Sequence, residues 1–435
     1  MDPIIFGRAF IGMTMAFHIA FALFGVGIPL LVCIVELLGI ARKDSRFIVL
    51  AKQYTYAMTV LFIVGAISGT IISISFAVLL TPFMAVASKV IILPFVIEGF
   101  AFVIEASFLA LYAYTWNRFG NPWKHWLLSV PVVVASAATA YLITTVNGWM
   151  NTPSGFTYAN GVFSNINQWK AMTNLASVPE TAHSIMAYYA TTAFVFAAVT
   201  VYQLIEEGRR ERFGQSYQFK KKVVALLLTI ALIFSVAVAV TGDNSARFDS
   251  HYEPEKLAAA EGVAHSESNA PLVFLGIFHH GILQGGLRVP DGLSFLVGGS
   301  EKIVVQGLSG FDPATWPPLI VHYFFDSMAA IGMLMLITPL LFFIFYKWHH
   351  VWIFGKPMEW LIVITGVLSI VAVEIGWMLT EFGRQPYVIA GIMPSADAFN
   401  ATHATIAYAI WFPLVYIGLA VVTYKILTKH YRTHV

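Results

Sequence analysis

Apolar residues in this chain run on rather than alternate. Nine stretches are long and apolar enough to cross a bilayer as helices, which takes about 20 residues each. They lie at roughly 10–40, 54–82, 90–116, 125–148, 180–205, 221–242, 317–346, 357–382 and 402–427. Several exceed the minimum, so those helices should tilt or project beyond the membrane. The pattern predicts an all-α, polytopic membrane helix bundle with about nine transmembrane helices. No internal repeat or low-complexity tract is evident.

One polar interruption is long. Residues 243–316 are polar early (GDNSARFDSHYEPEKLAAAEG) and glycine-rich late (HHGILQGGLRVPDGLSFLVGG). The piece EPEKLAAAEG predicts a short helix, with Pro near its start and Gly at its end. A loop this long is functional, or else a passive tether between spans. The chain therefore divides into helices one to six over 1–242, an outer loop over 243–316 and helices seven to nine over 317–435.

Composition agrees with a membrane protein. The 435 residues are 58% hydrophobic and 11% charged, against about 25% charged in a soluble domain. A net charge of +2 with no basic arm gives no case for nucleic acid. The single cysteine, Cys33, excludes a disulfide framework, a Cys-rich iron–sulfur site and a Cys-pair copper site. Any metal must be held by His, Met or carboxylate, or inside a cofactor. The N-terminal apolar run continues past Leu38 without a small-residue cleavage site, so it is expected to be a retained helix.

Charge also predicts orientation. Seventeen of the 25 Lys and Arg fall in the tail and the loops of one side, Arg42, Arg46, Arg118 and Lys220 among them. The other eight are Arg8, Lys89, Lys170, Arg247, Lys256, Arg288, Lys302 and Arg384. The positive-inside rule puts the N-terminus outside, the C-terminus inside and the 243–316 loop outside. Trp149, Trp169, Trp316, Trp348 and Trp352 lie near span ends, as interface anchors do.

Ionisable groups inside spans are costly and are candidates for function. His18, in MAFHIAF, is either a buried histidine bonded to a neighbouring helix or an axial ligand to heme iron. Glu98 and Glu105, in VIEGFAFVIEASF, are seven residues apart. That spacing returns them to nearly one helix face, about 10 Å apart along the axis. Two such carboxylates suit a proton relay, and one could reach a metal. Glu374 and Glu381 repeat the spacing in helix eight, and GRQPY follows at once. His183 and Met328 lie near the outer ends of helices five and seven. Met alone is ordinary core filler, but with a His at the same depth it is a candidate for His/Met heme ligation. His251, His265 and His322 are expected to be solvated or interfacial, His349 and His350 to lie at the inner surface, and His279 and His280 to point apart.

Together these residues resemble subunit I of the cytochrome bd quinol oxidases along nearly the whole chain. The resemblance is carried by Arg8 and His18, IEGFAFVIEASF, NGWMNTP at 147–153, His183, GDNS at 242–245, EKLAAAE at 255–261, Met328 and EFGRQPY. It implies three hemes in one subunit, two of b type and a third of d or b type, with no copper. It implies oxidation of ubiquinol or menaquinol coupled to reduction of O2 to water in the bacterial or archaeal cytoplasmic membrane. His183 and Met328 would ligate the low-spin b heme. His18 and Glu381 would be iron ligands of the other two hemes. Glu98 would serve that diheme site as ligand or proton donor, with Glu105 and Thr139 on the proton path. Lys256 and Glu261 would lie in the quinol-binding loop, where a carboxylate can accept the quinol proton and an ammonium can stabilise negative charge. Arg384 would steady heme propionates. The partners implied are a second membrane subunit of similar size and, in some members, a small single-helix subunit.

There are departures. GRQPY ends in Tyr387 where the family turn often ends in Trp. Asp326 stands where many members carry Arg two residues before the ligating Met. The outer loop is short, which places the chain in the short-loop branch. Two other classes are less consistent with the residues. A heme–copper oxidase needs clustered intramembrane His, and only His18, His183 and His403 lie near or within spans. A proton-coupled transporter would often show an inverted repeat.

Overall fold

The computed structural model describes residues 3–207, 214–279, 281–348, 355–400 and 403–433. His280, His349, His350 and Trp352 lie outside the described residues, as do Arg209, Arg210 and Arg212 of the inner-side charge count. In chain order the helices are α1 (Pro3–Arg42), α2 (Ser45–Leu79), α3 (Thr81–Val90), α4 (Ile92–Tyr114), α5 (Pro122–Trp126), α6 (Ser129–Asn151) and α7 (Gln168–Met172). There follow α8 (Ser177–Glu207), α9 (Gln215–Tyr252), α10 (Pro254–Glu261), α11 (Gly292–Gly298), α12 (Ile320–Trp348), α13 (Lys356–Gly383) and α14 (His403–Thr433). Among the described residues, nine helical segments are long and apolar enough to cross a membrane. They correspond one to one with the nine predicted spans.

The differences lie where membrane and helix end at different places. The sixth span was predicted to stop at 242, yet α9 continues to Tyr252. Hydropathy marks where a helix leaves the bilayer, not where it stops. Nothing in GDNSARFDSHY breaks a helix, and the stop comes only as Pro254 opens α10. At about 1.5 Å per residue α9 is far longer than the bilayer core needs. Arg247 supports the projecting part through an i,i+4 ion pair to Asp243 at 2.9 Å. A short amphipathic helix, α3, separates the second and third spans, and small β-hairpins decorate the loops, the first of them formed by β1 (Thr157–Ala159) and β2 (Val162–Ser164).

The chain forms two compact units. The first comprises 1–177 and 391–435. In it α1 packs against α2, α6 and α14, and α4 packs against α6. Near the end of α1 a buried polar knot ties helices together. Glu36 accepts from the Tyr112 hydroxyl at 2.6 Å, and its other oxygen lies 2.6 Å from His125 Nδ1. His125 Nε2–H donates to the Tyr112 carbonyl at 3.0 Å. Every buried group in the knot thus has a partner, which removes the usual penalty for burying it.

The second unit comprises 178–390. Here α8 and α13 approach closely at Gly366, where a Cβ would lie 2.5 Å from that of Ala198. Thr191 adds a hydroxyl bond of 3.3 Å to the Ser369 carbonyl. Helices α12 and α13 are joined by Thr338 and Thr365 at 3.0 Å.

The 243–316 loop has a folded core of its own. Helix α10 starts with Pro254 in its first turn and ends at Gly262 in the left-handed region (φ 70°), as its sequence predicts. Leu257, Ala258, Val263, Leu293, Val297 and Leu308 close a small core, with Trp316 packed on it. Each fully buried Leu or Val is worth about 1.5–3 kcal/mol. Strands β3 (Leu272–Phe274) and β6 (Leu287–Val289) pair antiparallel around the inner hairpin of β4 (Ile277–His279) and β5 (Ile282–Gln284).

Candidate heme and quinol sites

In the first unit, His18 on α1 is half-buried, and its Nδ1 lies 2.9 Å from Ser68 Oγ on α2. The Ser68 hydroxyl hydrogen is already directed at the Val64 carbonyl, 2.9 Å away. The shared proton therefore belongs to His18. Nδ1–H donates to Ser68, and Nε2 keeps its lone pair, the form that binds a metal. Beside the ring is Gly69, where a Cβ would sit 3.2 Å from Cε1. Glu98 and Glu105 share one face of α4, with Glu105 buried and Glu98 half-buried. Thr139 is on α6, which packs on α4. Its hydroxyl hydrogen is committed to the Ser136 carbonyl at 2.8 Å, leaving its oxygen lone pairs as acceptors.

In the second unit, His183 on α8 is seated in the same way. Its Nδ1 lies 3.3 Å from Thr241 Oγ1 on α9, whose hydroxyl donates to the Ala237 carbonyl at 2.8 Å. Again Nδ1–H is the donor and Nε2 is left as a ligand. Gly242 lies against the ring, with a Cβ there 3.2 Å from Cε1. Met328 on α12 has its sulfur beside Gly376 of α13, 3.2 Å from where a Cβ would be. Glu374 and Glu381 lie along α13. Glu381 is bonded by Arg384 Nη2 at 2.7 Å, and the arginine side chain is almost wholly buried. Glu374 Oε1 is buried without a hydrogen-bond partner among the described residues.

The loop residues separate onto two sides of α10. Lys256 is buried between Glu253 at 3.0 Å and Asp249 at 3.4 Å. Burial alone would lower its pKa, but the charges of Asp249, Glu253 and Glu180 outweigh that and raise it above the ordinary lysine range. Its aliphatic stem rests on Gly383, just before Arg384. Glu261, five residues on, faces α12 instead. Burial raises its carboxyl to about 8, with the Asp326 charge adding to the effect.

His322 and Asp326 correct and refine the sequence reading. His322 was expected to be solvated or interfacial, yet it is fully buried. Its Nδ1–H donates to the Ala260 carbonyl at 2.7 Å. The loop folds back over the start of α12, which hydropathy cannot register. Asp326 accepts from the Leu275 amide at 2.7 Å and lies 3.4 Å from His322 Nε2. Asp326 therefore pins the 243–316 loop to α12.

Residues 6–435 match the family model for cytochrome bd terminal oxidase subunit I. The chain belongs to this family. It is 34% identical over its whole length, and over 98% of the relative, to a putative cytochrome bd menaquinol oxidase subunit I of Bacillus subtilis (strain 168). A cytochrome bd ubiquinol oxidase subunit 1 of the same strain is 25% identical over 94% of this chain and 89% of its own length. The solved bd oxidase of Geobacillus thermodenitrificans superposes with a TM-score of 0.92 at 36% identity, covering 99% of both chains. Family membership and the nine apolar helices make this a multi-pass membrane protein, a terminal oxidase subunit of the respiratory chain.

Sequence reasoning singled out His18, His183, Met328 and the intramembrane glutamates but missed the groups that touch them. Ser68 and Thr241 carry no signal of their own, since intrahelical hydroxyls are common in membrane helices. His322 was weighed from its polarity and place in the chain, and Glu36 and His125 become a pair only in space.

Proposed function

We propose that this chain is the catalytic subunit of a quinol:O2 oxidoreductase, taking electrons from menaquinol or ubiquinol at the outer face and passing them to O2. The observation that carries the reading is the setting of His183: its Nδ1 lies 3.3 Å from Thr241 Oγ1, whose own hydroxyl bonds the Ala237 carbonyl, an arrangement that suits Nδ1–H as donor and Nε2 as the ligand to iron. Three hemes are bound, two of b type and a third of d or b type, without copper. The hemes supply electron transfer and the reduction of O2.

The residues supply the rest. His183 and Met328 would hold the low-spin heme from two helices, and the glycines beside them, Gly242 and Gly376, make room for the imidazole and the thioether themselves. His18 and Glu381 serve as iron ligands to the other two hemes. Glu98, on α4, serves as ligand or proton donor to the heme that binds O2. Arg384, buried beside Glu381 and 2.7 Å from its carboxylate, steadies propionates. Glu261 is the group in the 243–316 quinol loop suited to take the quinol proton: with its carboxyl raised to about 8, the fraction that is ionised near neutral pH is a stronger base than an ordinary carboxylate. Lys256, permanently charged, holds α10 in place through its carboxylates and favours developing negative charge nearby.

The N-terminus and the quinol loop lie outside and the C-terminus inside. Quinol then releases its protons outside, while Glu105, Glu98 and Thr139 deliver protons from the inside to O2. Charge separation follows without a pump. A second membrane subunit and a small single-helix subunit complete the complex.

The test is a reduced-minus-oxidised spectrum of the complex purified from membranes. Heme bands are expected, with the low-spin b band lost in His183→Ala and in Met328→Ala. A protein without heme bands would overturn the reading.

A further inference from the structure

We propose that a hydroxyl–glycine dipeptide on a neighbouring helix seats each heme-ligating histidine: Ser68–Gly69 for His18, and Thr241–Gly242 for His183. The inference rests on the reading of His18 and His183 as iron ligands.

Consecutive residues divide the work. The hydroxyl takes the Nδ1–H bond, at 2.9 Å in the first unit and 3.3 Å in the second. The glycine lies beside Cε1, the carbon between the two ring nitrogens. At each glycine a Cβ would stand 3.2 Å from that carbon, tighter than ordinary van der Waals contact. A side chain at either position would push the ring away from its hydroxyl.

The hydroxyls have one proton each, and both are spent on carbonyls of their own helices. Each oxygen can then only accept from its histidine. Nε2 is left unprotonated in both units. Donation from Nδ1–H makes Nε2 a stronger electron donor, and such outer partners tune a bound metal. The device recurs on two pairs of helices, α1 with α2 and α8 with α9, so a chance packing at one of them is a poor explanation.

The test compares Thr241→Val, Thr241→Ser, Ser68→Ala and Gly242→Ala with the parent complex. Thr241→Val keeps side-chain volume and removes the acceptor. Its low-spin heme is expected to remain bound with a higher midpoint potential and a displaced band, because a weaker donor favours reduced iron. Thr241→Ser should restore both. Ser68→Ala should alter the spectrum of the His18 heme and leave the low-spin band in place. Gly242→Ala should weaken heme retention on extraction about 10-fold or more.

Unchanged potential and spectrum in both Thr241→Val and Ser68→Ala would overturn the proposal, provided His183→Ala loses its heme. If His183→Ala keeps every heme band, the ligand reading beneath it fails instead. Should Thr241→Val not accumulate, Ser68→Ala decides alone, since it probes the same device in the other unit.

Discussion

The stem of Lys256 lies in the space left by the missing Cβ of Gly383. A Cβ there would stand 3.0 Å from Cγ and 3.1 Å from Cδ of the lysine. The 243–316 loop is thereby fitted against the end of α13, one residue before Arg384, and the lysine is held in line with Glu253 and Asp249.

Gly383→Ala tests that contact. The added methyl forces the stem to shift, and overpacking of a filled site costs about 1–3 kcal/mol. The lysine should lose its alignment with Glu253. The expected result is a several-fold rise in the KM for quinol with heme content unchanged, read from O2 consumption against a quinol series. A KM equal to the parent's would show that the contact is irrelevant to the loop.

Glu261 predicts a pH dependence with a definite sign. Its folded pKa, about 8, is above that of an exposed glutamate, because burial and then Asp326 disfavour the charge. The folded state therefore holds a proton that the unfolded state gives up. Its effect on stability is neutral at acid pH and becomes unfavourable as pH rises from the ordinary carboxylate range toward 8. Glu261→Gln should flatten that fall, so the variant unfolds at higher temperature than the parent at pH 9. It should also slow quinol oxidation, since an amide cannot accept the proton. Parallel melting curves for the two proteins across this range would refute the assignment.

Asp326→Ala should loosen the hairpin of β3–β6 from α12. The Leu275 amide would lose its acceptor, and a partly buried hydrogen bond of this kind is worth about 0.5–1.5 kcal/mol. Faster proteolytic nicking within residues 275–289, with nicking elsewhere unchanged, is the expected outcome. Equal nicking rates would mean that the hairpin is held by its own strands alone.

Glu105→Gln preserves shape and abolishes proton exchange at that position. In the proposed relay it should lower O2 reduction by about 100-fold or more, the usual scale for a lost acid–base group. Heme bands should persist, which separates this effect from assembly. Full turnover in Glu105→Gln would remove the residue from the path.

The sequence by itself determined the membrane architecture and the family. Unbroken apolar runs have one stable outcome in a bilayer, a helix with its backbone bonds satisfied internally. Ionisable residues such as Glu98, Glu105 and Glu381 stand out within those runs because their burial is costly. The α10 helix was legible for a local reason too, its Pro254 start and Gly262 stop.

The tertiary structure decided what each ionisable group meets. No one-dimensional pattern sets Ser68 beside His18, fifty residues away, or directs His322 at the Ala260 carbonyl. Hydropathy reports transfer between water and lipid, so it read α9 as ending at the membrane surface and His322 as exposed. Hydrogen bonding and close packing are decided by neighbours from other parts of the chain. The tautomers of His18 and His183, the paired charges around Lys256 and the use made of Asp326 follow from those neighbours.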